Sequence, residues 1–561
     1  MTELLSRSDA LARLTRTGEP YELVEVTQYG EPCRAFRNAP PTLRALFEEA
    51  RSELPFIVYQ NERLSFETAW QQAAALATLL RKEHGVSKGD RVAISMRNYP
   101  EWIIAFMAAT SIGGIAVAMN ALWQSEEMAY ALSDSEPNVL IADDERVRTF
   151  AECENAAPEL RVLSVRSEMT HPAVTPLAEA MARHANAPMP EVSIDPEDDA
   201  TIFYTSGSTG FPKGAVSCQR NIITALMSWE LDARARLLTL GLEPPAPEEQ
   251  PATLLAVPLF HATGSHAVYL SSYRAQRRIV SMYKWDVVEA ARLIEAERIS
   301  SVVAPAAMTG DLVRHAQTQG ADLSSLQTVG GGGAPRAPEQ VRGIEQTFAN
   351  ALPNTGWGMT ETNAIGTGIG GEDYLAHPES SGRVSAVLDL RVVDDDGNLL
   401  PPDTRGELQV RGTSVIRGYW RRPDANEATF DGRWLRTGDV ATIDEDGYLY
   451  IVDRIKDLVI RGGENIGCGA VEAALLEHPA VEEACVYAVP DERLGEEVGA
   501  TVHCGTSVTE AALREFLSAR LARFEVPRYI SFSPETLPRT ASGKILKRTL
   551  RERALNALRS S

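Results

Sequence analysis

Short apolar runs alternate with amphipathic stretches between residues 40 and 330, and this alternation constrains the fold more than any other feature. Residues 66–82 (FETAWQQAAALATLLRK) have the apolar spacing of a helix. Residues 91–95 (RVAIS) then read as a strand, 101–110 as a helix, and 115–119 and 138–142 (NVLIA) as buried strands. Such repetition predicts α/β layers with largely parallel strands. After about residue 385 the texture changes. Residues 390–393, 406–411 and 448–452 read as strands, with turn signals at Asp396-Gly397 and Asp446-Gly447, which predicts an antiparallel, β-rich subdomain. An α+β region follows, with helices expected over 469–478 and 509–522 and a strand over 485–489. A charged crossing, DRIKDLV (453–459), separates the two textures. The expected division is a large domain, 1–455, and a small domain, 456–561, with the boundary at Lys456. A chain of 561 residues is too long for one hydrophobic core, so more than one domain is required.

The formal net charge of −22 sets a repulsive field against nucleic acid. One basic segment stands against that average: residues 510–561 carry 11 Lys/Arg and 5 Asp/Glu. It reads either as a solvated helical face or as a contact for a polyphosphate ligand. The six cysteines are scattered with no CxxC pair, and the nine histidines show no HExxH, so neither a disulfide framework nor a zinc site is expected. The first twenty residues lack an apolar segment of the secretory kind, and a cytoplasmic protein is the expectation. Residues 102–124 carry no charge and have the length of a membrane span. Gly113-Gly114 interrupts them, so a buried helix, a turn and a buried strand are expected instead. Residues 188–199 and 242–251 read as surface linkers.

Five segments carry chemistry. The strand-like 200–205 runs into SGSTGFPKG, so that Thr205, Ser206, Gly207, Ser208, Thr209, Gly210 and Lys213 form a hydroxyl- and glycine-rich loop with one cation. Such a loop presents N–H groups and hydroxyls to phosphate oxygens. It is not a Walker A loop, because Pro212 precedes the lysine and Gly214 follows it. Gly330 to Gly333 with Ala334 and Pro335 permit close backbone approach to a flat ring. GWGMTET (356–362) offers an aromatic, Trp357, a hydroxyl, Thr360, and a hard oxygen ligand, Glu361. Asp439 lies in a Thr-Gly-Asp turn suited to sugar hydroxyls, and Lys544 lies in the Gly/Ser turn PRTASGKILK (538–547).

In this order and over nearly the whole chain, these segments resemble the core motifs of the adenylate-forming superfamily, which includes acyl-CoA synthetases, aryl-CoA ligases, peptide-synthetase adenylation domains and luciferases. The greatest similarity is to fatty-acyl-CoA ligases. The resemblance implies that the 205–214 loop holds the β and γ phosphates of ATP, that Gly333, Ala334 and Pro335 line the adenine, and that Trp357 stacks on it. It places Thr360 near the α-phosphate, Glu361 on Mg²⁺, Asp439 on the ribose and Arg454 near ribose and phosphate. Lys456 corresponds to the hinge, Lys544 to the catalytic lysine of the small domain, and His261 of PLFH to the gate beside the acyl site. The implied reaction joins a small carboxylic acid to ATP, releases pyrophosphate, and passes the acyl group to coenzyme A. One departure stands out: Cys468 occupies the place where the family commonly has proline. A homodimer is compatible with the resemblance.

The stretches implied to line the acyl pocket (262–265, 302–308 and 363–369) are small and apolar and contain no arginine or carboxylate. They predict an uncharged acyl chain of medium or longer length, with an aryl acid as the second choice. Three rivals remain: an acyl-AMP ligase serving a carrier protein, a luciferase-like oxygenase, and a non-catalytic nucleotide or acyl-CoA binding protein. The last is expected to lose Lys544, Glu361 or Lys213, and all three are present.

Overall fold

A computed structural model describes residues 5–205, 212–243, 249–333, 336–462, 464–540 and 543–560. Two large sheets dominate. The first has eight strands, in spatial order Gly418–Tyr419, Lys213–Cys218, Asp199–Thr205, Ile115–Ala118, Arg91–Ser95, Val139–Asp143, Arg161–Val165 and Val174–Pro176. Its strands from Asp199–Thr205 onward are mutually parallel, and the first two pairings are antiparallel. The second sheet has nine strands, with a parallel centre that includes Ala252–Leu255, Ser301–Val303, Thr328–Gly330 and Leu352–Thr355. The strand Thr367–Gly370 then adds antiparallel to it.

Helix Phe66–Glu83 shows why the alternation folds as it does. Ser65 caps its N-terminus by accepting from the Thr68 amide, Glu67 sits in the first turn, and Arg81 and Lys82 sit in the last. Its apolar face packs on helix Pro100–Ser111, which is buried from Trp102 to Ser111. That burial explains the uncharged run at 102–124: a core helix, a turn at Gly113 (φ 71°) and the strand Ile115–Ala118. Among the described residues no helix is long and apolar enough to cross a membrane.

Strands Leu388–Val393, Gly406–Gly412, Trp434–Ile443 and Leu449–Arg454 form the antiparallel subdomain expected after residue 385. The remaining chain builds a five-stranded sheet with helices Cys468–Leu476, Glu510–Ser518 and Lys547–Ser560 and its own apolar clusters. Helix Glu510–Ser518 is shorter than the expected 509–522. Thr509 is its cap, and the Ala522 amide turns away to the Glu525 side chain ahead of Pro527. Lys456 lies in the single 3₁₀ turn Ile455–Asp457, which links Leu449–Arg454 to Val459–Arg461.

Candidate active site

One cavity of about 2130 Å³ lies at the carboxyl ends of the parallel strands and is lined also by the β-rich subdomain and the C-terminal unit. Ligand sites form at such strand ends because the loops there are free to vary while the sheet stays rigid. Thr205 ends one strand and Lys213 begins its antiparallel partner, the two standing opposite each other. Ser206, Gly207, Ser208, Thr209 and Gly210, which the sequence assigns to a phosphate loop, fall outside the described residues, as do Ala334 and Pro335. Gly333 lines the cavity.

The Lys213 ammonium sits over the Tyr419 ring, 5.1 Å from its centroid. The Tyr419 hydroxyl donates to Glu361 Oε1 at 2.7 Å. Glu361 is buried, 6% exposed, and its second oxygen has no hydrogen bond among the described residues. Thr360 opens the 3₁₀ turn Thr360–Thr362, which Asn363 ends in the left-handed region (φ 58°).

Asp439 and Arg454 are cross-strand neighbours. Arg454 Nε pairs with Asp439 Oδ1 at 2.7 Å, and Trp357 Nε1 donates to Oδ2 at 2.8 Å. Burial raises the Asp439 carboxyl above the ordinary range, and Arg454 opposes that rise. The Trp357 indole is therefore fixed in orientation, with a buried body and a satisfied N–H.

Lys544 reaches this group from the C-terminal unit. Its turn is closed by the Thr540 amide donating to the Lys544 carbonyl at 2.7 Å, and Gly543 (φ 82°) supplies the left-handed residue. Arg539 holds the turn from behind, donating to the Gly543 carbonyl and to Glu483, both at 2.8 Å. On the far side the turn faces Pro305 and Met308 of the large domain. Lys544 is open to the cavity, yet the surrounding protein holds its ammonium below the ordinary lysine range. Burial is the main cause and Arg454 adds to it, while Asp439 and Glu361 act against both.

His261 lines the same cavity. Burial, and then the charge of Lys544, lower its pKa to about 4, so it is neutral at pH 7. It precedes a π-helix, Thr263–Leu270. Any Cβ on Gly264 would overlap the Pro258 carbonyl, so the tight entry into that helix requires glycine. Cys468 is the first residue of its helix. Its amide donates to Asp453 Oδ2 at 2.6 Å, its sulfur lies 3.1 Å from the Asp457 carbonyl, and burial pushes the thiol far up, which makes it a poor nucleophile.

Sequence reading gave no role to Tyr419 or His266 and took Asn363 only as part of the stretch 363–369. His266 is buried, with Nε2 3.1 Å from Asn363 Oδ1, and the Asn363 amide donates to the Ser414 carbonyl at 2.8 Å. No spacing pattern links these positions. An asparagine directly after a TET turn is the one available signal, for a left-handed residue. Burial lowers the His266 pKa to about 4, against about 6.5 for a free histidine. The unfolded chain therefore takes up a proton as pH falls through about 6.5, and the native state does so only near 4. Stability is lost across that window. Between pH 7 and 4.5, His266→Gln is expected to lose about 2 kcal/mol less than the wild type in urea titrations. Equal losses would refute the assignment.

The stretches that the sequence marked as pocket lining carry no arginine, but the cavity as a whole does. The helix Gln219–Thr239 also lines the cavity and brings Arg236 to it, from a stretch outside those the sequence marked.

Comparison with known proteins agrees with this geometry. The AMP-binding enzyme family model matches residues 46–420, and the model of the AMP-binding enzyme C-terminal domain matches 470–544. A long-chain-fatty-acid–CoA ligase of Mycobacterium tuberculosis is 33% identical over 479 residues, 83% of this chain and 89% of that protein. A feruloyl-CoA synthase of an Amycolatopsis species is 34% identical over 499 residues, 87% and 94% of the two chains. The structure of o-succinylbenzoate-CoA synthetase of Bacillus subtilis with its acyl-adenylate superposes with a TM-score of 0.76 at 27% identity, covering 91% of this chain and 98% of that one. The chain belongs to the AMP-binding enzyme family, the adenylate-forming acyl- and aryl-CoA ligases. Within it the protein is an acid–thiol ligase of the AMP-forming type.

Proposed function

We propose that the protein adenylates a carboxylic acid with ATP and Mg²⁺, releasing pyrophosphate, and then passes the acyl group to coenzyme A, releasing AMP. The observation that carries this reading is the convergence of Lys544 with Glu361, Asp439, Arg454 and His261 in one cavity. The uncatalysed obstacle is electrostatic, because a carboxylate must attack an anionic α-phosphate. Lys544 approaches from the small unit to neutralise the charge that develops there, and Thr360 lies alongside. Asp439 and Arg454 hold the ribose, Trp357 and Gly333 the adenine, and Lys213 with Thr205 and the intervening loop the β and γ phosphates. Glu361 is a fitting ligand for Mg²⁺, since one oxygen is fixed by Tyr419 and the other is free of hydrogen bonds among the described residues. Bound there, the ion would supply charge neutralisation on the phosphates. His261, neutral at pH 7, acts as an uncharged wall beside the acid.

A small unit starting at Lys456 that turns about that residue is the proposed route from adenylation to thioester formation. An acid with an apolar body, a fatty chain first and an aryl ring second, accords with the small side chains at Ala262, Ala267, Ala306 and Ala307. The test is a panel of carboxylic acids with ATP, Mg²⁺ and coenzyme A, following pyrophosphate, AMP and thioester. Stoichiometric thioester and AMP are expected. Pyrophosphate without thioester would move the assignment to an acyl-AMP ligase, and no release with any acid would remove it.

A further inference from the structure

The cavity lining runs from Trp357 along one strand to a charged residue, Arg236. The floor is one face of the strand Thr367–Gly370 and the residue preceding it. A Cβ on Gly366 would strike the Trp357 ring, one on Gly368 would meet nothing within 4 Å, and one on Gly370 would lie 3.2 Å from Arg236 Nη1. These three positions alternate with Thr367 and Ile369, so they share a face. At about 3.3 Å per residue the floor extends about 13 Å from Trp357 to Arg236.

The helix Gln219–Thr239 lines the cavity as well, with Trp229, Ala233 and Arg236 among its lining residues at helical spacing. The lining also includes Ala267, Ser271 and Ala275, again one turn apart and all small. Glu230, Asp232 and Arg277 line the cavity here as well, but Glu230 is paired with Arg274 at 2.5 Å and Asp232 with Arg7 at 3.0 Å.

Arg236 is half-buried at the end of the floor. Its guanidinium lies against Gly370 and Gly371, and a Cβ on Gly371 would overlap it. Among the described residues that guanidinium has no hydrogen bond and no ion pair. Asp373, the nearest-acting acid, is already engaged by Arg383 at 2.9 Å and by the Tyr448 hydroxyl at 2.5 Å, while Glu372 is exposed. A cation withdrawn from water without a partner is costly, and five N–H donors in a fixed fork match a carboxylate.

Building on the assignment of this cavity as the acyl site, we propose that Arg236 is a specificity-determining residue that binds a second carboxylate at the remote end of the acid, so that the preferred substrate class is a dicarboxylic acid with an apolar middle. The glycine floor leaves room for that middle, and Arg236 sets the length at which the remote carboxylate is paired. A simple fatty acid would press a methyl end against an unpaired guanidinium.

The test compares straight-chain monocarboxylic acids with α,ω-dicarboxylic acids of equal length in pyrophosphate release, alongside calorimetric binding of the same acids to the intact protein. Wild type is expected to favour one length of diacid by about 10- to 100-fold in kcat/KM, the worth of one charge-assisted pair. Arg236→Met should reverse that preference by weakening the diacid and improving the monoacid, and Arg236→Lys should keep the sign of the preference. Equal use of both acid classes by the wild type, or a parallel loss of both in Arg236→Met, would overturn the proposal. If calorimetry shows the diacid preference and no acid releases pyrophosphate, the ligase reading fails and the Arg236 site stands. If neither acid class binds, both fail.

Discussion

Lys544→Ala is expected to lower the rate of acyl-adenylate formation about 10²- to 10³-fold, the cost of removing one preorganised donor from a developing charge. The same variant should convert supplied acyl-adenylate and coenzyme A into thioester at a rate within a few-fold of wild type. The split follows from position. Lys544 sits on a turn of the C-terminal unit, and its ammonium feels Arg454, Asp439 and Glu361, all residues of the nucleotide side. The turn is held by its own hydrogen bonds and by Arg539, not by the lysine side chain, so truncating that side chain leaves the backbone in place. Single-turnover measurements of the two half-reactions decide the matter. Equal losses in both would assign Lys544 a structural role.

Asp439→Ala is expected to raise the KM for ATP about 10²-fold and to cost about 2 kcal/mol of stability. Asp439 is the hub of a small polar network: it accepts from the Trp357 indole and pairs with Arg454. Without it, the buried indole N–H loses its acceptor. Arg454 also loses its counter-charge and repels Lys544 more strongly. Asp439→Asn should fall between, since an amide oxygen can still accept from Trp357 but carries no charge. ATP titrations of pyrophosphate release and urea denaturation separate the two effects. An ATP dependence unchanged within threefold would show that the network is purely architectural.

The layered architecture was legible because its signals are local. Residues 66–82 and 91–95 declare helix and strand through spacing alone, and the change of texture near residue 385 follows from alternation and Asp-Gly turns. Lys544, Glu361, Asp439 and Trp357 were legible because each sits in a short contiguous motif, although nothing in their spacing says that they meet. Tyr419 was not legible, since the bond it donates to Glu361 closes a loop of 58 residues and depends on the pairing of Gly418–Tyr419 with Lys213–Cys218. Arg236 was hidden in another way. It lies in LDARARLL, where alternating charge reads as a solvated helix face, and only the packing of that helix beside two adjacent glycines turns the guanidinium inward.

The amide of Cys468 bears on how the protein spends its time at rest. Its acceptor, Asp453, and its own helix lie on opposite sides of Lys456, so a rotation about that residue must break the bond. A proline in that place would have no N–H to give. A hydrogen bond to a carboxylate contributes about 1.5–3 kcal/mol, which shifts a two-state equilibrium by about 10- to 100-fold. The unliganded protein is therefore expected to rest almost wholly in one orientation, with a single distance between fluorophores placed on its two units. Cys468→Pro should spread that distance into two populations. An unchanged single distance would mean that the bond does not act as a catch. If the proposed hinge operates, this departure from the family pattern would alter the timing of the two steps and not the residues that carry them.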